Sequence, residues 1–440
     1  ADLFIGGANN KGSQIYLQTS NGDFKPKPQI AFNAFTSYED VAAVFFDADK
    51  DGDMDLLVGS GGNNRLSNRG ELNHRLFLND GKANFTHSAD AFPVFEYNTG
   101  VMVPMDYDLD GDMDVFVGAR NTPLKYGVTP ASALYQNNGQ GQFRDVTTTI
   151  APDFSKLGMV TSAVVGKLSN QGGASLIIVG EYMYPVVYAF EKGKMVEQAT
   201  NLKGLNGWWQ SIQMADIDGD GFQDLIIGNM GENGYLKPTP SAPVKLWIND
   251  FDGNESIDKI LTRTIDGKDV PVFMKGEMQE QIPLLKKENL NYEIYAKKAF
   301  QELFKKELVD KAAMKIYNYT SSIIAWGKGN GQFDIQRLPN EVQFSSLNAM
   351  LSTDVNADGK TDLVLGGNQF GFLPQFGRLD ANYGLVLINK GKRVLEVVED
   401  KQSGLAITGQ VRDMVLFQQG VQKKVLFFRN NQAPVFMKLK

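Results

Sequence analysis

The stretch Asp47-Ala-Asp-Lys-Asp-Gly-Asp-Met-Asp55, followed directly by Leu56-Leu-Val-Gly59, decides the fold of this chain. It places carboxylates at positions 1, 3, 5 and 9 of a nine-residue loop, with Gly52 at position 6, and continues into a short apolar strand. Four copies in identical phase indicate that the chain is built from structural repeats. The other three are Asp106–Asp114 before Val115–Gly118, Asp216–Asp224 before Leu225–Gly228 and Asp354–Asp362 before Leu363–Gly366.

The alternating oxygen side chains of these loops are typical of a calcium site. Ca²⁺ takes about 6 to 8 oxygen ligands at roughly 2.3 to 2.6 Å, and side chains on alternate residues of a tight loop converge on one point. Glycine at position 6 allows the sharp turn, residue 7 offers its backbone carbonyl, and the aspartate at position 9 completes the shell. No glutamate follows at position 12, so the loops are not EF-hands. The predicted ligands are Asp47, Asp49, Asp51, Asp53 and Asp55; Asp106, Asp108, Asp110, Asp112 and Asp114; Asp216, Asp218, Asp220, Phe222 and Asp224; and Asp354, Asn356, Asp358, Lys360 and Asp362.

The alternative explanation for each loop is a solvated acidic turn, because Asp and Gly are ordinary turn residues. The identical phase of the four copies favours the ion, and so does the charge of the chain. The four loops hold 17 carboxylates in a chain of net charge −7, and four Ca²⁺ would bring that charge to about +1. The sequence therefore predicts four calcium ions.

A fifth acidic loop departs from this pattern. Its glycine stands at position 4 instead of 6, and its last aspartate follows Asp224 by only 34 residues. We regard it as a candidate fifth calcium site in a divergent unit. Its oxygen side chains, at positions 1, 3, 5 and 9, are Asp250, Asp252, Asn254 and Asp258.

The pattern DxDxDGxxDL, followed by a short apolar strand and Gly, resembles the FG-GAP/VCBS repeat of integrin α-subunit heads and of many bacterial surface proteins. That resemblance implies a β-propeller with calcium bound between the first two strands of a blade. It also implies an extracellular, cell-surface (outer-membrane-associated) or periplasmic location. Further segments are similar to the C-terminal propeller of large Bacteroidetes VCBS proteins described as cartilage acidic protein-like. These segments are Gly207-Trp-Trp-Gln210, Gly366-Gly-Asn-Gln369 with Phe376–Asp380, and a helical insertion near residues 280–316.

The repeat units can be aligned on the ninth position of the loop. It is Asp2, Asp55, Asp114, Asp224 or Asp362 in the clear copies. Two degenerate copies, Lys167–Ser175 and the strand Val425–Phe428, would complete seven units and should fold without metal. Alternation and Asn-Gly turns predict hairpins at Tyr16–Phe24, Leu76–Phe85, Leu134–Phe143 and Ile324–Phe333. We therefore expect residues 1–440 to form one all-β propeller of four-stranded blades, with seven blades, or eight if the fifth acidic loop begins another.

Between residues 277 and 316 the apolar residues follow a helical spacing. Leu303, Phe304 and Leu308 stand among Lys and Glu residues, and Asn291 is a predicted N-cap. We expect two helices that interrupt a blade and pack outside the propeller, since they have too few apolar residues for a core of their own. A mobile lid is the alternative.

Composition excludes several classes of protein. The chain has no cysteine and only two histidines, His74 and His87, which argues against thiolate and histidine metal centres. Its pI of about 5.2 argues against nucleic-acid binding. No apolar run approaches the ~18 residues that span a bilayer, so no transmembrane segment is predicted. Residue 1 falls inside a repeat unit, and we expect this sequence to be part of a longer protein.

The loops that follow the second strands should emerge together, on the face opposite the calcium loops. Long loops on a rigid scaffold commonly carry binding residues, and Trp, Tyr and Arg are frequent hot-spot residues. The alternatives are structural: Trp208 and Trp209 could fill the axial channel, and the arginines could fix their own loops. The predicted ligand-face residues are Arg75, Arg120, Tyr126, Tyr182, Trp208, Trp209 and Arg378.

Two classes of function fit this sequence. The one we favour is a non-catalytic, calcium-binding surface or secreted module that binds a protein or a glycan, and no catalytic residue is predicted. The other is a polysaccharide lyase or glycoside hydrolase with its site in the central pocket. Paired carboxylates, or a histidine with an arginine, flanked by aromatic residues in that pocket would favour the enzyme.

Removal of calcium should lower the melting temperature, and Asp51→Ala should reproduce part of that effect. Two carboxylates 4 Å apart repel by roughly 4 kcal/mol at an effective dielectric of ~20, so the loops should open without a cation. Binding to the folded state alone stabilises it by about 2.7 kcal/mol per site at a hundredfold excess over Kd. Extracellular modules have Kd values of roughly 10⁻⁴ to 10⁻³ M, which millimolar calcium would saturate. Equal melting temperatures in chelator and in millimolar calcium would contradict the prediction.

Overall fold

The structure, a computed structural model, describes residues 2–8, 10–62, 69–169, 173–288, 291–372, 376–398, 400–419 and 422–438. In these ranges the chain forms eight antiparallel β-sheets, which confirms the predicted all-β class. None of the helices in the same ranges is both long and apolar enough to cross a membrane.

The first four sheets follow one another along the chain, and each consists of strands that are consecutive in sequence. A short additional strand pairs with β13 at the edge of sheet 4. Sheet 1 contains β1 (Leu3–Ile5), β2 (Gln14–Gln18) and β3 (Phe24–Lys27); sheet 2 contains β4 (Glu39–Phe46), β5 (Asp55–Gly61), β6 (Arg75–Asn79) and β7 (Phe85–Ser88); sheet 3 contains β8 (Asn98–Met105), β9 (Asp114–Asn121), β10 (Ala133–Asn137) and β11 (Phe143–Asp145); and sheet 4 contains β12 (Met159–Gly166), β13 (Ser175–Met183), β14 (Val186–Glu191), β15 (Lys194–Gln198) and the added β16 (Gly207–Trp208).

Sheet 6 is inserted between the second and third strands of sheet 5. Sheet 5 contains β17 (Ser211–Ala215), β18 (Asp224–Gly228), β23 (Ile323–Gly327) and β24 (Phe333–Arg337); sheet 6 contains β19 (Val244–Asn249), β20 (Asp258–Ile265), β21 (Lys268–Pro271) and β22 (Ala313–Tyr317); sheet 7 contains β25 (Leu347–Thr353), β26 (Asp362–Gly367), β27 (Leu385–Asn389) and β28 (Leu395–Val397); and sheet 8 contains β29 (Val411–Gln419), β30 (Gln422–Arg429) and β31 (Gln432–Lys438). The helices are α1 (Thr147–Ile150), α2 (Lys275–Gln281), α3 (Leu285–Glu288), α4 (Tyr292–Ala296), α5 (Lys306–Lys311) and α6 (Asp400–Ser403), with 3-10 turns at Ile30–Phe35, Arg69–Leu72, Pro152–Lys156, Phe300–Glu302 and Asn340–Phe344.

The strand that follows each acidic loop is buried on both faces, which explains its uninterrupted apolar sequence. In β5, Leu57 packs in the cluster shared with sheet 3, while Leu56 and Val58 pack in the cluster shared with sheet 1. All three side chains are at most 1% exposed. Such a strand needs apolar residues at consecutive positions instead of the alternation of a half-exposed strand.

The glycine that ends the repeat motif allows neighbouring sheets to approach closely. A Cβ atom at Gly59 would lie 2.8 Å from the Thr99 side chain of β8, and one at Gly118 would lie 2.5 Å from Val160 of β12. Both distances are too short for a non-bonded contact. The repeated glycine is therefore required by packing between sheets and not by its backbone angles.

Apolar clusters join the sheets in a closed order, in which sheet 6 takes no part. The clusters connect sheet 1 with 2, 2 with 3, 3 with 4, 4 with 5, 5 with 7, 7 with 8, and 8 with 1. The first strands β4, β8, β12, β17, β25 and β29 line a central cavity of about 950 Å³, together with β1. The hydrophobic core is thus divided into successive layers between sheets.

Two of the predicted four-stranded units have three strands among the described residues. Sheet 1 lacks a partner on the cavity side of β1, and sheet 8 lacks a fourth strand beside β31. The four predicted hairpins are confirmed as β2–β3, β6–β7, β10–β11 and β23–β24. The degenerate loop at 167–175 lies partly outside the described residues, and its strand is β13.

The predicted pair of helices between residues 277 and 316 is wrong in number and in extent. The described part of the segment, which excludes residues 289–290, begins with α2 and holds four short α-helices and a 3-10 turn, and residues 313–317 already belong to β22. Its apolar residues cover one face of sheet 6, where Phe300 stacks on Trp247 with 4.5 Å between ring centroids. The predicted N-cap is confirmed, because the Ile294 N–H donates to Oδ1 of Asn291 at 2.9 Å. Since the helices cover the core of sheet 6, their deletion should uncover that sheet as well.

Replacement of Phe300 by alanine should destabilise sheet 6 and its helices by about 3 to 5 kcal/mol, the usual cost of a fully buried Phe→Ala change. Phe300 is 0% exposed and contacts Phe251 as well as Trp247. Denaturant unfolding followed by tryptophan fluorescence would measure the change. Tyr292→Ala, at a side chain that is 66% exposed, is the control and should cost little. Equal stability of the two variants would show that the helices do not form one core with sheet 6.

Candidate metal sites and candidate binding pocket

The five acidic loops share one backbone conformation. Positions 4 and 6 have positive φ angles, which are 64° at Lys50 and 91° at Gly52 in the first loop. In the fifth loop the corresponding angles are 77° at Gly253 and 66° at Glu255. The displaced glycine therefore stands at a position where each loop needs a left-handed residue. The fifth loop is a structural copy of the other four.

The first aspartate of each loop holds the turn through Oδ2, and in the first two loops its Oδ1 is buried without a hydrogen bond. In the other three loops Oδ1 also accepts a backbone N–H, from Gly219, Gly253 or Asp358. The Gly52 N–H donates to Oδ2 of Asp47 at 3.1 Å. Oδ1 of Asp47 and Oδ1 of Asp49 are buried and have no hydrogen-bond partner among the described residues. The corresponding turn bond is donated by Gly111, Gly221, Glu255 and Gly359 in the other loops. Further buried Oδ1 atoms without a partner belong to Asp106, Asp108 and Asp252.

The last aspartate of each loop is buried and tethers the loop to its own sheet. Oδ2 of Asp55 accepts the Ala48 N–H at 2.8 Å, and Oδ1 accepts the N–H of Asn79, at the end of β6, at 2.8 Å. Asp114, Asp224 and Asp362 accept the equivalent pair of bonds. In sheet 1 the Gln18 N–H donates to Asp2 at 3.0 Å, as expected for a ninth position. Asp258 accepts one backbone bond, from Phe251, and a side-chain bond from Gln281.

Carboxylates from positions 1, 3 and 9 converge in four of the loops, where they could hold a metal ion. In each group one ligand atom per residue lies within 4.8 Å of the others. Burial raises the pKa of Asp55 to about 6 and that of Asp114 to about 7, so these anions are disfavoured without a nearby cation. The first two groups contain unpartnered Oδ1 atoms at positions 1 and 3, and the fifth loop contains that of Asp252, and carboxylate oxygens of this kind are the donors that Ca²⁺ takes. The groups are Asp47, Asp49 and Asp55; Asp106, Asp108 and Asp114; Asp216, Asp218 and Asp224; and Asp250, Asp252 and Asp258.

The loops differ in the cations that the protein itself supplies. Arg393 Nε donates to Oδ2 of Asp218 at 2.7 Å in the third loop. The Asp354 loop has Asn356 at position 3, and its Asp358 carboxylate lies 3.5 Å from Lys360 Nζ. Affinity for Ca²⁺ depends on the number of charged ligands, so these two loops should bind more weakly than the first.

Four of the predicted ligand-face residues come together at the opposite ends of the second strands. Glu181 joins two of them, because Arg120 Nη2 donates to its Oε1 at 2.8 Å and the Tyr126 hydroxyl donates to its Oε2 at 2.6 Å. Tyr182 packs against Trp208 with 5.4 Å between ring centroids. These residues line two adjoining cavities of about 240 and 280 Å³.

Most of the residues that line the pocket were not predicted from the sequence. Arg120 and Met230 each stand two residues after the motif glycine of their sheet, and Glu181 stands one residue after Gly180. Their position relative to this glycine could have identified Met230 and Glu181 as pocket residues from the sequence. Tyr317 and Phe273 come from the region of sheet 6, which no repeat pattern predicts to lie there. The insertion thus forms a wall of the pocket, and its helices lie behind that wall.

The other three predicted ligand-face residues lie elsewhere. Trp209 is 0% exposed in the core between sheets 4 and 5, and its Nε1 donates to the Leu205 carbonyl at 3.2 Å, so its placement on the ligand face is wrong. Arg75 is 4% exposed and pairs with Asp40 at 2.5 Å below the surface. Arg378 is exposed and stacks on Phe370, outside the two cavities.

The acidic residues that could favour an enzyme are divided between the cavities: Asp2, Asp40 and Asp413 line the central cavity, and Glu181 lines the smaller cavity of the pocket. His74 is buried against Phe95, and burial followed by the charge of Arg75 lowers its pKa to about 3. Neither histidine lines the central cavity or the aromatic pocket. Burial, followed by the charge of Glu181, raises the pKa of Tyr126 far above its usual value, so this hydroxyl is a poor base near neutral pH.

Comparison with known proteins supports the repeat. The family model for the FG-GAP-like repeat matches residues 1–58, and that for the FG-GAP repeat matches residues 208–240. These segments contain the first and third acidic loops. No curated protein matches the sequence. Among solved structures, the chain is similar to the crystal structure of the V. cholerae biofilm matrix protein Bap1, with 9% identity and a TM-score of 0.38, over 98% of this chain and 84% of that chain.

Two kinds of aspartate substitution should separate metal binding from loop tethering. Asp49→Asn and Asp252→Asn should each remove one bound calcium per chain and leave the melting temperature in chelator unchanged or slightly raised, because they remove repulsion. Asp55→Asn should lower the melting temperature in chelator too, since an amide leaves one of the two buried N–H donors unpaired at a cost of about 1 to 3 kcal/mol. Calcium content and melting scans would check this. Similar behaviour of Asp49→Asn and Asp55→Asn in chelator would contradict the assigned roles.

Proposed function

We propose that this chain is a calcium-stabilised, non-catalytic β-propeller that binds a macromolecular ligand through the aromatic pocket. The observation that carries the proposal is the position of the two kinds of site. The acidic loops precede the second strands, whereas the pocket residues Arg120 and Glu181 lie at or near the other ends of such strands. A rigid β-sheet between them separates the stabilising ions from the binding surface.

The propeller has seven blades and forms one domain over residues 1–440. Seven sheets linked by seven apolar clusters around one cavity support this count. Sheet 6 is not a blade, because none of its residues lines the central cavity. It is an insertion in the fifth blade, and the Gly231 N–H bond to the Thr320 carbonyl at 2.9 Å closes its base.

The cofactor is Ca²⁺, at the four predicted loops and at the Asp250 loop. The shared positive φ angles and the buried, unpartnered oxygen of Asp252 support the fifth site. Loops of this kind are filled at millimolar calcium and empty at resting cytosolic levels. We therefore assign the protein to the cell surface, the extracellular space or the periplasm.

The pocket has the composition of a binding site. Its wall is formed mainly by aromatic and aliphatic side chains, with few polar groups in fixed positions, which is the usual character of ligand pockets. Trp208 is partly exposed and contacts Tyr182, Tyr317 and Phe372. Partly exposed aromatic residues in a preformed concave surface are typical binding hot spots.

Trp208→Ala should weaken binding of whatever ligand the wild-type protein captures from arrays of surface proteins and glycans in millimolar calcium. Loss of a hot-spot tryptophan costs about 2 kcal/mol or more, which corresponds to roughly thirtyfold in Kd. Tyr383→Ala, at another exposed aromatic residue, is the control and should bind normally. The melting temperature in calcium shows that each variant is folded. Unchanged binding by Trp208→Ala would exclude the pocket as the ligand site.

A further inference from the structure

Asn137, the last residue of β10 in sheet 3, connects two acidic loops. Its backbone N–H donates to Oδ1 of Asp114, the last aspartate of its own loop, at 2.8 Å. Its side-chain Nδ2 donates at 2.8 Å to the carbonyl of Ala48, the second residue of the loop in sheet 2. The Ala48 N–H in turn donates to Asp55 at 2.8 Å. Hydrogen bonds thus connect the last aspartates of two neighbouring loops.

The same connection occurs between sheets 5 and 7. The N–H of Asn389, the last residue of β27, donates to Oδ1 of Asp362 at 2.8 Å. Its Nδ2 donates to the Ile217 carbonyl at 2.5 Å, and the Ile217 N–H donates to Oδ2 of Asp224 at 2.9 Å. Ile217 stands at position 2 of its loop, as Ala48 does. The repetition at equivalent positions associates this arrangement with the acidic loops.

The third strands of sheets 5 and 2 end without such a bridge. In sheet 5 the equivalent residue is Gly327, whose N–H donates to Asp224 but which has no side chain. The sheet before it in the closed order is sheet 4, whose degenerate loop has lost its carboxylates. In sheet 2, Asn79 donates to the Met54 carbonyl of its own loop, and within the described ranges its side chain has no hydrogen bond to sheet 1. The bridging asparagines therefore occur where both neighbouring loops are acidic.

Charged side chains add a second contact within each pair of loops. Lys50, at position 4 of the loop in sheet 2, forms an ion pair with Asp112, at position 7 of the loop in sheet 3. In the other pair, Arg393 lies in the turn after β27 and its Nε donates to Asp218 at 2.7 Å. A displacement of one loop would therefore disturb polar contacts to the other.

We propose that Asn137 and Asn389 are positioning residues that couple calcium binding within these two pairs of loops. This inference rests on the proposed role of Ca²⁺. An ion in the loop of sheet 3 would fix Asp114, and through Asn137 it would hold Ala48 in the place that the loop of sheet 2 needs. Ordering the second loop would then cost less entropy, which gives positive cooperativity without a change of shape.

The test follows each loop separately by NMR of protein labelled selectively at glycine, during a calcium titration. The amides of Gly52 and Gly111 donate to the first aspartates of their loops, so their signals report the two sites. Asp108→Asn removes a ligand from the loop of sheet 3. We expect it to raise the calcium midpoint of the Gly52 signal about fivefold, at the lower end of typical coupling. In an Asn137→Ala background, Asp108→Asn should leave that midpoint unaltered.

Asn79→Ala is the matched control. Asn79 ends the third strand of sheet 2 as Asn137 ends that of sheet 3, and it bonds to its own loop alone in the part of the chain that the structure describes. Its replacement removes a comparable side-chain bond without removing the bridge. In this background Asp108→Asn should still raise the Gly52 midpoint about fivefold.

The second pair of loops provides an independent test, which also covers the case that Asn137→Ala does not fold. The amides of Gly221 and Gly359 report the loops of sheets 5 and 7. Asp358→Asn should raise the calcium midpoint of the Gly221 signal about fivefold. Asn389→Ala should abolish that effect.

Several outcomes would overturn the proposal. A Gly52 midpoint that stays the same or falls with Asp108→Asn would exclude positive coupling. A shift that persists in Asn137→Ala would assign the coupling to the ion pair between the loops, and loss of the shift in Asn79→Ala would show a general weakening. If no glycine signal responds to calcium, the assignment of the cofactor fails as well. The binding function of the pocket is tested separately, by Trp208→Ala.

Discussion

The sheets that carry an acidic loop depend on one buried carboxylate at the start of the second strand. In sheets 2, 3, 5 and 7 this group accepts an N–H from its own loop and another from the third strand or the turn after it, as Asp55 does with Ala48 and Asn79. It therefore joins three parts of a sheet at one point that water does not reach. A hydrogen bond to a charged acceptor is about twice as strong as one to a neutral acceptor. Burial of the carboxylate is tolerated because both of its oxygens accept hydrogen bonds. The convergence of the other aspartates on the same point follows from this tether.

The repeat pattern combines three requirements along one strand. At its start, the aspartate organises the loop that could hold a cation. At its end, the glycine brings the next sheet within contact distance of the backbone. The apolar residues between them fill layers on both sides. Because all three requirements are local, sequence alone was sufficient to locate the loops, the second strands and the hairpins.

Features that depend on contacts between distant segments could not be predicted in the same way. Trp209 and Arg75 resemble hot-spot residues in sequence, yet one fills a core and the other is paired with Asp40. Sheet 6 interrupts the fifth repeat, and although its acidic loop was recognised from the sequence, its part in the pocket wall has no periodic signal. The glycine of the Asp250 loop was treated as a deviation, although its position 4 is left-handed in every loop. The requirement for a positive φ angle at position 4 became clear only when the backbone angles of the five loops were compared.

Sheet 4 differs from its neighbours in a way that bears on how the protein would respond to its environment. Its loop has lost the carboxylates, yet its second strand carries Glu181, to which Arg120 and Tyr126 are bonded. The floor of the pocket is thus built on a sheet without an acidic loop, while the sheets on either side, sheets 3 and 5, each have one before the second strand. If the acidic loops hold calcium as proposed, removal of the ion would loosen the flanking walls of the pocket before its floor.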